Sequence, residues 1–330
     1  MVTSDDRTGI ESGLRFDGRV AVVTGAGRGI GREFAHLLAA RGAAVVVNDI
    51  GRSADSERYG TEENRQPAET VAQEIRDRGG RAVASTADIS SEGEAASIVA
   101  LAREMFGGVD IVVNNAGIVI MKEIRELSVS DFLSAFNVHV IGAFNVLRAA
   151  WAHMCSQRYG RVVNVTSSEG CIFGSPGMAA YAAAKGGSAG LTRVLATEGQ
   201  PFGIQVNGVL PGAVTRAQRS TDESRSPSHE IDMSPSLVAP GVVWLAHEQC
   251  AVSGKFFATS SGRMGAVYTG VAEGYQAPDL KEWTLEAARD NWQQIAASEP
   301  AIIAENARDY KDFRIAAFRK HVKSVPETIA

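Results

Sequence analysis

Short β-branched runs alternate with longer stretches of helical period along most of the chain. Arg19 to Thr24, Ala44 to Asn48, Arg81 to Thr86, Asp110 to Asn114, Arg161 to Thr166 and Gln205 to Val209 read as strands, and Phe256 with Phe257 marks a final one. Between them, Ile30 to Arg41, Pro67 to Asp77, Gly93 to Phe106, Ser130 to Gln157 and Ala179 to Thr197 carry apolar residues at helical spacing. Strands that are apolar at nearly every position are buried on both faces, which requires a parallel sheet with helices on each side. The expected architecture is therefore α/β: one Rossmann-type, doubly wound parallel sheet with helices on both faces. Its ligand crevice lies beyond the carboxyl ends of the strands.

Two stretches break the alternation. Residues 51 to 66 are polar and glycine-bearing and read as a loop, while residues 220 to 235, rich in Ser, Asp, Glu and Pro, are expected to form a flap. After about residue 275 the pattern is purely helical, with Leu285, Ala288, Trp292 and Ile295 on one face behind a Thr284 cap. The division this suggests is a polar arm over 1 to 16, the sheet domain over 17 to 274, and a helical extension of that domain over 275 to 330.

Composition narrows the function classes. The 330 residues are 45% hydrophobic and 22% charged, an ordinary globular profile. A net charge of −5 argues against nucleic acid as a partner, although a local basic patch for a phosphorylated substrate remains compatible with it. Cys155, Cys171 and Cys250 are far apart, with neither metal spacing nor a disulfide framework, so no metal is expected and a reducing, cytoplasmic location is. No apolar run approaches a bilayer span, the start lacks a signal-peptide core, and Thr328-Ile329-Ala330 is not a peroxisomal address.

Candidate chemistry begins at Thr24-Gly25-Ala26-Gly27-Arg28-Gly29-Ile30-Gly31, between a strand and a helix. Glycines permit a tight turn and close backbone approach, and a helix N-terminus offers free N–H groups to a pyrophosphate. Asp49 closes the next strand, where a carboxylate bonds an adenosine ribose and repels a 2′-phosphate. Arg28 pulls the other way, but it can turn to solvent, so NAD is expected rather than NADP.

Tyr181 and Lys185 stand four residues apart, on one face of a helix. A nearby ammonium stabilises a phenolate and moves it toward a useful range for proton transfer at neutral pH. Ser168 lies thirteen residues before the tyrosine, just past a strand, from where its hydroxyl can orient a substrate oxygen. Tyr-x-x-x-Lys alone carries little weight; combined with Ser168 and the glycine loop it is specific.

With Asp88-Ile89, Asn114-Asn115-Ala116-Gly117 and Pro211-Gly212, these motifs resemble the short-chain dehydrogenase/reductase family over residues 17 to 262. The resemblance implies that Asp88 and Ile89 border an adenine, that Asn115, Ala116 and Gly117 run beside the cofactor riboses, and that Pro211, Gly212, Val214 and Thr215 flank a nicotinamide. It also implies a homodimer or homotetramer. Val45 to Asp49, Val138-His139-Val140, Arg148 to Trp151, Val238 to Pro240, Trp244 to Glu248, Glu286-Ala287 and Asn291-Trp292 are similar to the (3R)-hydroxyacyl-CoA dehydrogenase branch of that family.

One position departs from the family pattern. His139 stands where an asparagine usually helps hold a relay water. It is either a variant of that relay or a packed helix histidine. The expected activity is interconversion of a secondary alcohol and a ketone with NAD, on a (3R)-3-hydroxyacyl thioester. A steroid, terpenoid or polyketide alcohol is the alternative substrate, and a non-catalytic NAD-binding sensor or scaffold is the alternative class.

Overall fold

The computed structural model describes residues 13–51, 66–213, 231–304 and 307–321. The chain divides into two compact units, 1–266 and 267–330. In the first, β1 (Val20–Thr24), α1 (Gly29–Ala40), β2 (Ala44–Asn48), α2 (Pro67–Asp77), β3 (Arg81–Ser85), α3 (Glu92–Phe106) and β4 (Ile111–Asn114) follow in order. Next come α4 (Val129–Phe136), a π turn (Asn137–Gly142), α5 (Ala143–Gln157), β5 (Gly160–Val165), α6 (Ala179–Gly199), β6 (Ile204–Gly212), α7 (Ala239–Leu245), β7 (Phe256–Ser260) and β8 (Arg263–Val267).

The strands form a single sheet in the order β3-β2-β1-β4-β5-β6-β7-β8. Every pairing from β3 across to β7 is parallel. The doubly wound sheet expected from the apolar runs is thus present, and strand order reverses between β1 and β4, where such sheets open a crevice. β8 was not anticipated. Ser261 and Gly262 both have positive φ, 50° and 76°. That is the geometry of a two-residue reversal, which turns β7 back into an edge strand.

Alternate residues of each central strand feed opposite faces. Val23, Val45 and Val47 pack with Phe34 and Leu38 of α1, Ile75 of α2 and Val242 of α7. Val22, Val46 and Val112 pack with Ile98 of α3 and with Leu147 and Met154 of α5.

The single helix expected over Ser130 to Gln157 is continuous but not uniform. It starts with a capping box between Ser128 and Asp131 and passes through the π turn before α5. Its length and apolar content would suffice to cross a membrane. In this fold it is a core helix, and His139, Gly142, Asn145 and Met154 are buried along it.

The second unit has its own small framework. Val271 and Ile302 form an antiparallel bridge, and Lys320 pairs with Glu273. Thr284 accepts the Ala287 N–H and caps α8 (Leu285–Asp290). The expected face from Leu285 to Ile295 is interrupted at Asn291, so α9 (Trp292–Ile295) is a separate turn before α10 (Ala307–His321).

Candidate active site

The glycine loop lies between β1 and α1, on the carboxyl side of the sheet at its switch point. Gly25 has φ 62° and Gly29 φ 55°, a region that favours glycine. A Cβ on Gly31 would lie 2.3 Å from both Asn115 Nδ2 and the Gly25 carbonyl oxygen, so the loop can close only over a hydrogen. Asn115 fastens it from β4: its side-chain amide donates to the carbonyls of Thr24 and Gly25, each at 2.9 Å. Thr24 Oγ1 accepts from the backbone N–H groups of Asn115 and Ala116. No side chain caps the start of α1, which leaves its first N–H groups, Gly29, Ile30 and Gly31, available for an anion.

Asp49 is drawn into the same loop. Its carboxylate accepts from Gly27 N at 3.0 Å and from Gly51 N at 2.9 Å. The carboxylate of Asp88 accepts from the backbone and hydroxyl of Ser90, while Ile89 is buried beneath the π turn, against Gly142. β6 runs on through Pro211 and Gly212 to the carboxyl edge beside β7. Val214 and Thr215 lie outside the described residues, as do 52–65 and 220–230 of the expected loop and flap. The uncapped helix start and the glycine cradle fit a dinucleotide pyrophosphate.

Tyr181 and Lys185 occupy one face of α6, as their spacing requires. Lys185 is 4% exposed, its Nζ donates to the Val165 carbonyl at the end of β5 at 2.6 Å, and it lies 5.6 Å from the Tyr181 ring centre. Burial pulls the Lys185 ammonium down to about 7. The phenol moves opposite to expectation. Burial pushes Tyr181 above its ordinary value, a hydrogen bond with Ser167 works against that rise, and Glu169 and Cys171 add to it. The physical reason is that both groups are desolvated together, so the lysine is only partly charged at neutrality.

Ser167, beside the expected Ser168, favours the Tyr181 phenolate and accepts the Glu169 N–H at 3.2 Å. Ser168 heads the next turn, where its carbonyl receives Ile172 and Phe173. Glu169 (φ −62°, ψ 123°) and Gly170 (φ 81°, ψ −18°) have the dihedrals of a type II turn. A Cβ on Gly170 would meet the Ala182 carbonyl of α6, so this turn sits directly on the tyrosine helix.

His139 is 4% exposed, edge-on to the Tyr181 ring at 5.3 Å between centroids. Its Nε2 lies 2.8 Å from the Ile118 carbonyl oxygen, and burial pulls its pKa down to about 3. Its own carbonyl accepts from Ser188 Oγ at 2.9 Å. Thr192 Oγ1 donates to the Ser188 carbonyl and accepts from Asn164 Nδ2, whose Oδ1 accepts from Asn114 Nδ2. A buried polar chain therefore joins β4, β5, α6 and the π turn. It borders a cavity of about 10 Å³, lined by Thr24, Asn114, His139, Asn164 and Ser188. Asn114 was visible as part of a motif, but nothing in the sequence paired it with Asn164, Thr192 or Ser188.

A Rossmann-type sheet with a glycine loop and a buried Tyr–Lys pair at its carboxyl edge defines a dinucleotide-dependent class of protein. The profile of the short chain dehydrogenase family matches residues 19–226, and the chain belongs to that family. It is 40% identical over 301 residues to the mouse (Mus musculus) peroxisomal multifunctional enzyme type 2, covering 89% of this chain and 39% of that one. The full-length peroxisomal multifunctional enzyme type 2 of Drosophila melanogaster superposes with a TM-score of 0.75 at 30% identity, covering 94% of this chain and 51% of that one. A 7α-hydroxysteroid dehydrogenase complexed with NADH and 7-oxo glycochenodeoxycholic acid gives a TM-score of 0.66 at 31% identity, over 77% of this chain and 96% of that one. The chain thus spans 39% and 51% of the length of these two multifunctional enzymes. Family membership makes it an oxidoreductase acting on CH–OH groups, on a fold that typically binds NAD or NADP.

The buried His139 gives a testable pH dependence. Its folded value, about 3, lies below the ordinary 6.5. Between those limits the unfolded chain takes up a proton that the folded chain refuses, so its contribution to stability falls as pH drops from 6.5 toward 3. The slope approaches about 1.4 kcal/mol per pH unit. Denaturant titrations of parent and His139→Asn should diverge only in that window. Curves that remain parallel there would contradict a buried neutral histidine.

Proposed function

We propose that the chain interconverts a secondary alcohol and a ketone with NAD, acting on a (3R)-3-hydroxyacyl thioester. The observation that carries this reading is the Tyr181–Lys185 pair on α6 beside the glycine loop, within a chain similar to a multifunctional enzyme over 89% of its length. The nicotinamide, when bound, supplies the site that accepts or returns hydride. Gly25, Arg28, Gly29, Ile30 and Gly31 would hold its pyrophosphate, Asp49 the adenosine ribose, Asp88 and Ile89 the adenine side. Asn115, Ala116 and Gly117, with Pro211, Gly212, Val214 and Thr215, would line the remainder.

Tyr181 moves the proton at the substrate oxygen: its phenol gives one to a ketone oxygen, or its phenolate takes one from an alcohol. Lys185, desolvated and tied to the Val165 carbonyl, biases that phenol and reaches toward ribose hydroxyls. Ser168 would bond the reacting oxygen, with Ser167 already at the phenol. His139, whose carbonyl is fixed by Ser188, is the fourth member of the site in this reading. The carboxylate of Asp49 supports NAD over NADP, because a 2′-phosphate would meet it at close range.

Steroid or other cyclic alcohols are the second reading, favoured by the likeness to the 7α-hydroxysteroid dehydrogenase structure. A homodimer or homotetramer and a cytoplasmic location also belong to the proposal; the multifunctional relatives are peroxisomal by name.

General acid–base work is worth about 10²–10⁴-fold, so Tyr181→Phe should lose turnover by that factor while NADH still binds, read by fluorescence titration. Turnover at the parent rate would remove Tyr181 from the mechanism. On a panel of (3R)-hydroxyacyl-CoAs and cyclic alcohols, the thioesters should give the higher kcat/KM, and a reversed ranking would favour the second reading. Asp49→Ser should raise NADP use relative to NAD by about tenfold, since removing a half-buried like-charge contact is worth about 1.4 kcal/mol. An unchanged ratio would clear Asp49 of cofactor choice.

A further inference from the structure

Glu169 is a partly buried carboxylate in the β5–α6 loop, and the proposed proton transfer does not use it. Both of its oxygens are engaged by one residue: Oε1 accepts from Ser175 Oγ at 2.5 Å and Oε2 from Ser175 N at 2.9 Å. Its backbone N–H donates to Ser167 Oγ, and Ser167 favours the Tyr181 phenolate. Gly170 N donates to the Phe173 carbonyl, closing the loop from inside. Two apolar side chains stand out on the segment so clamped, Ile172 at 56% and Phe173 at 55% exposure.

We propose that Glu169 is a positioning residue of this site: its carboxylate clamps the loop carrying Ile172 and Phe173, and it presents a negative charge to the Tyr181 phenol. The first half of this role is geometric. With the Ser175 clamp closed, Ile172 and Phe173 are held as an apolar rim on the loop that packs against the tyrosine helix at Gly170, suited to a substrate with an apolar body. The second half is electrostatic. Around the phenol stand Glu169 and Cys171 from the loop, Ser167 at its head, neutral His139 from the π turn, and Lys185 from its own helix. Of these, Glu169 and Cys171 oppose the phenolate and Ser167 favours it. Glu169 thereby adds to the upward push that burial gives the Tyr181 phenol.

The inference rests on Tyr181 being the proton-transfer group, and the experiment separates the two. Phenolate absorbance is followed against pH in parent, Glu169→Gln and Ser175→Ala, with the Tyr181 contribution assigned by subtracting Tyr181→Phe. This readout needs no substrate. Glu169→Gln keeps an acceptor for Ser175 and loses the charge, so the Tyr181 step should start about 0.5–1 pH unit lower, short of the shift a direct ion pair produces. Ser175→Ala keeps the charge and loosens the clamp. Its phenol should titrate with the parent, while KM for an apolar substrate rises several-fold and kcat is retained. A Glu169→Gln titration that overlays the parent overturns the electrostatic half. A Ser175→Ala KM equal to the parent's overturns the clamp. If Tyr181→Phe turns over normally while Glu169→Gln still shifts the phenol, the assigned mechanism fails and the placement of Glu169 stands.

Discussion

Burying an ammonium at the end of a parallel strand is the constraint on which the rest of this site depends. Lys185 reaches into the sheet edge, and among the described residues its ammonium donates to the Val165 carbonyl, at the last residue of β5. A cation so placed loses hydration that a single carbonyl replaces only in part, which is why its proton is held weakly. The tyrosine one turn earlier shares the same dry setting and is pushed the other way. Two groups whose ordinary values, 10.0 and 10.5, nearly coincide are thereby driven away from the ion-pair form, so each sits closer to neutral than in water.

The surroundings serve that arrangement. Asn114 and Asn164 face each other in register on β4 and β5, and their amides pass through Thr192 and Ser188 to the carbonyl of His139. These bonds fix α6 and the π turn against the strand ends, so Tyr181, Lys185 and His139 have little freedom. On the other side of the switch point, Asn115 ties the glycine loop to β4. The dinucleotide cradle and the proton-transfer helix are therefore anchored to adjacent residues, Asn115 just past β4 and Asn114 at its end.

Much of this was legible in the chain. Strands buried on both faces announce themselves by unbroken apolar runs, and β2 and α2 have the bounds read from the pattern. Glycines at 25 and 31 are legible because no other residue fits a loop that closes at 2.3 Å. The π turn was not, since one extra residue within a helix barely alters its apolar period. β8 is short and half-exposed, without the signature of a buried strand. The type II turn that follows Ser168 was not legible either, because spacing along the chain does not reveal it. The direction of the Tyr181 shift depends on burial, which a motif does not report.

Burial, more than any charge partner, tunes this pair. The most direct measurement is the titration of the Lys185 ε-amine by heteronuclear NMR on lysine-labelled protein, with its signal assigned by loss in Lys185→Met. The expected midpoint is about 7. A midpoint near the ordinary lysine value of 10.5 would contradict it, and would mean that the ammonium keeps its hydration or a partner that burial was held to deny it.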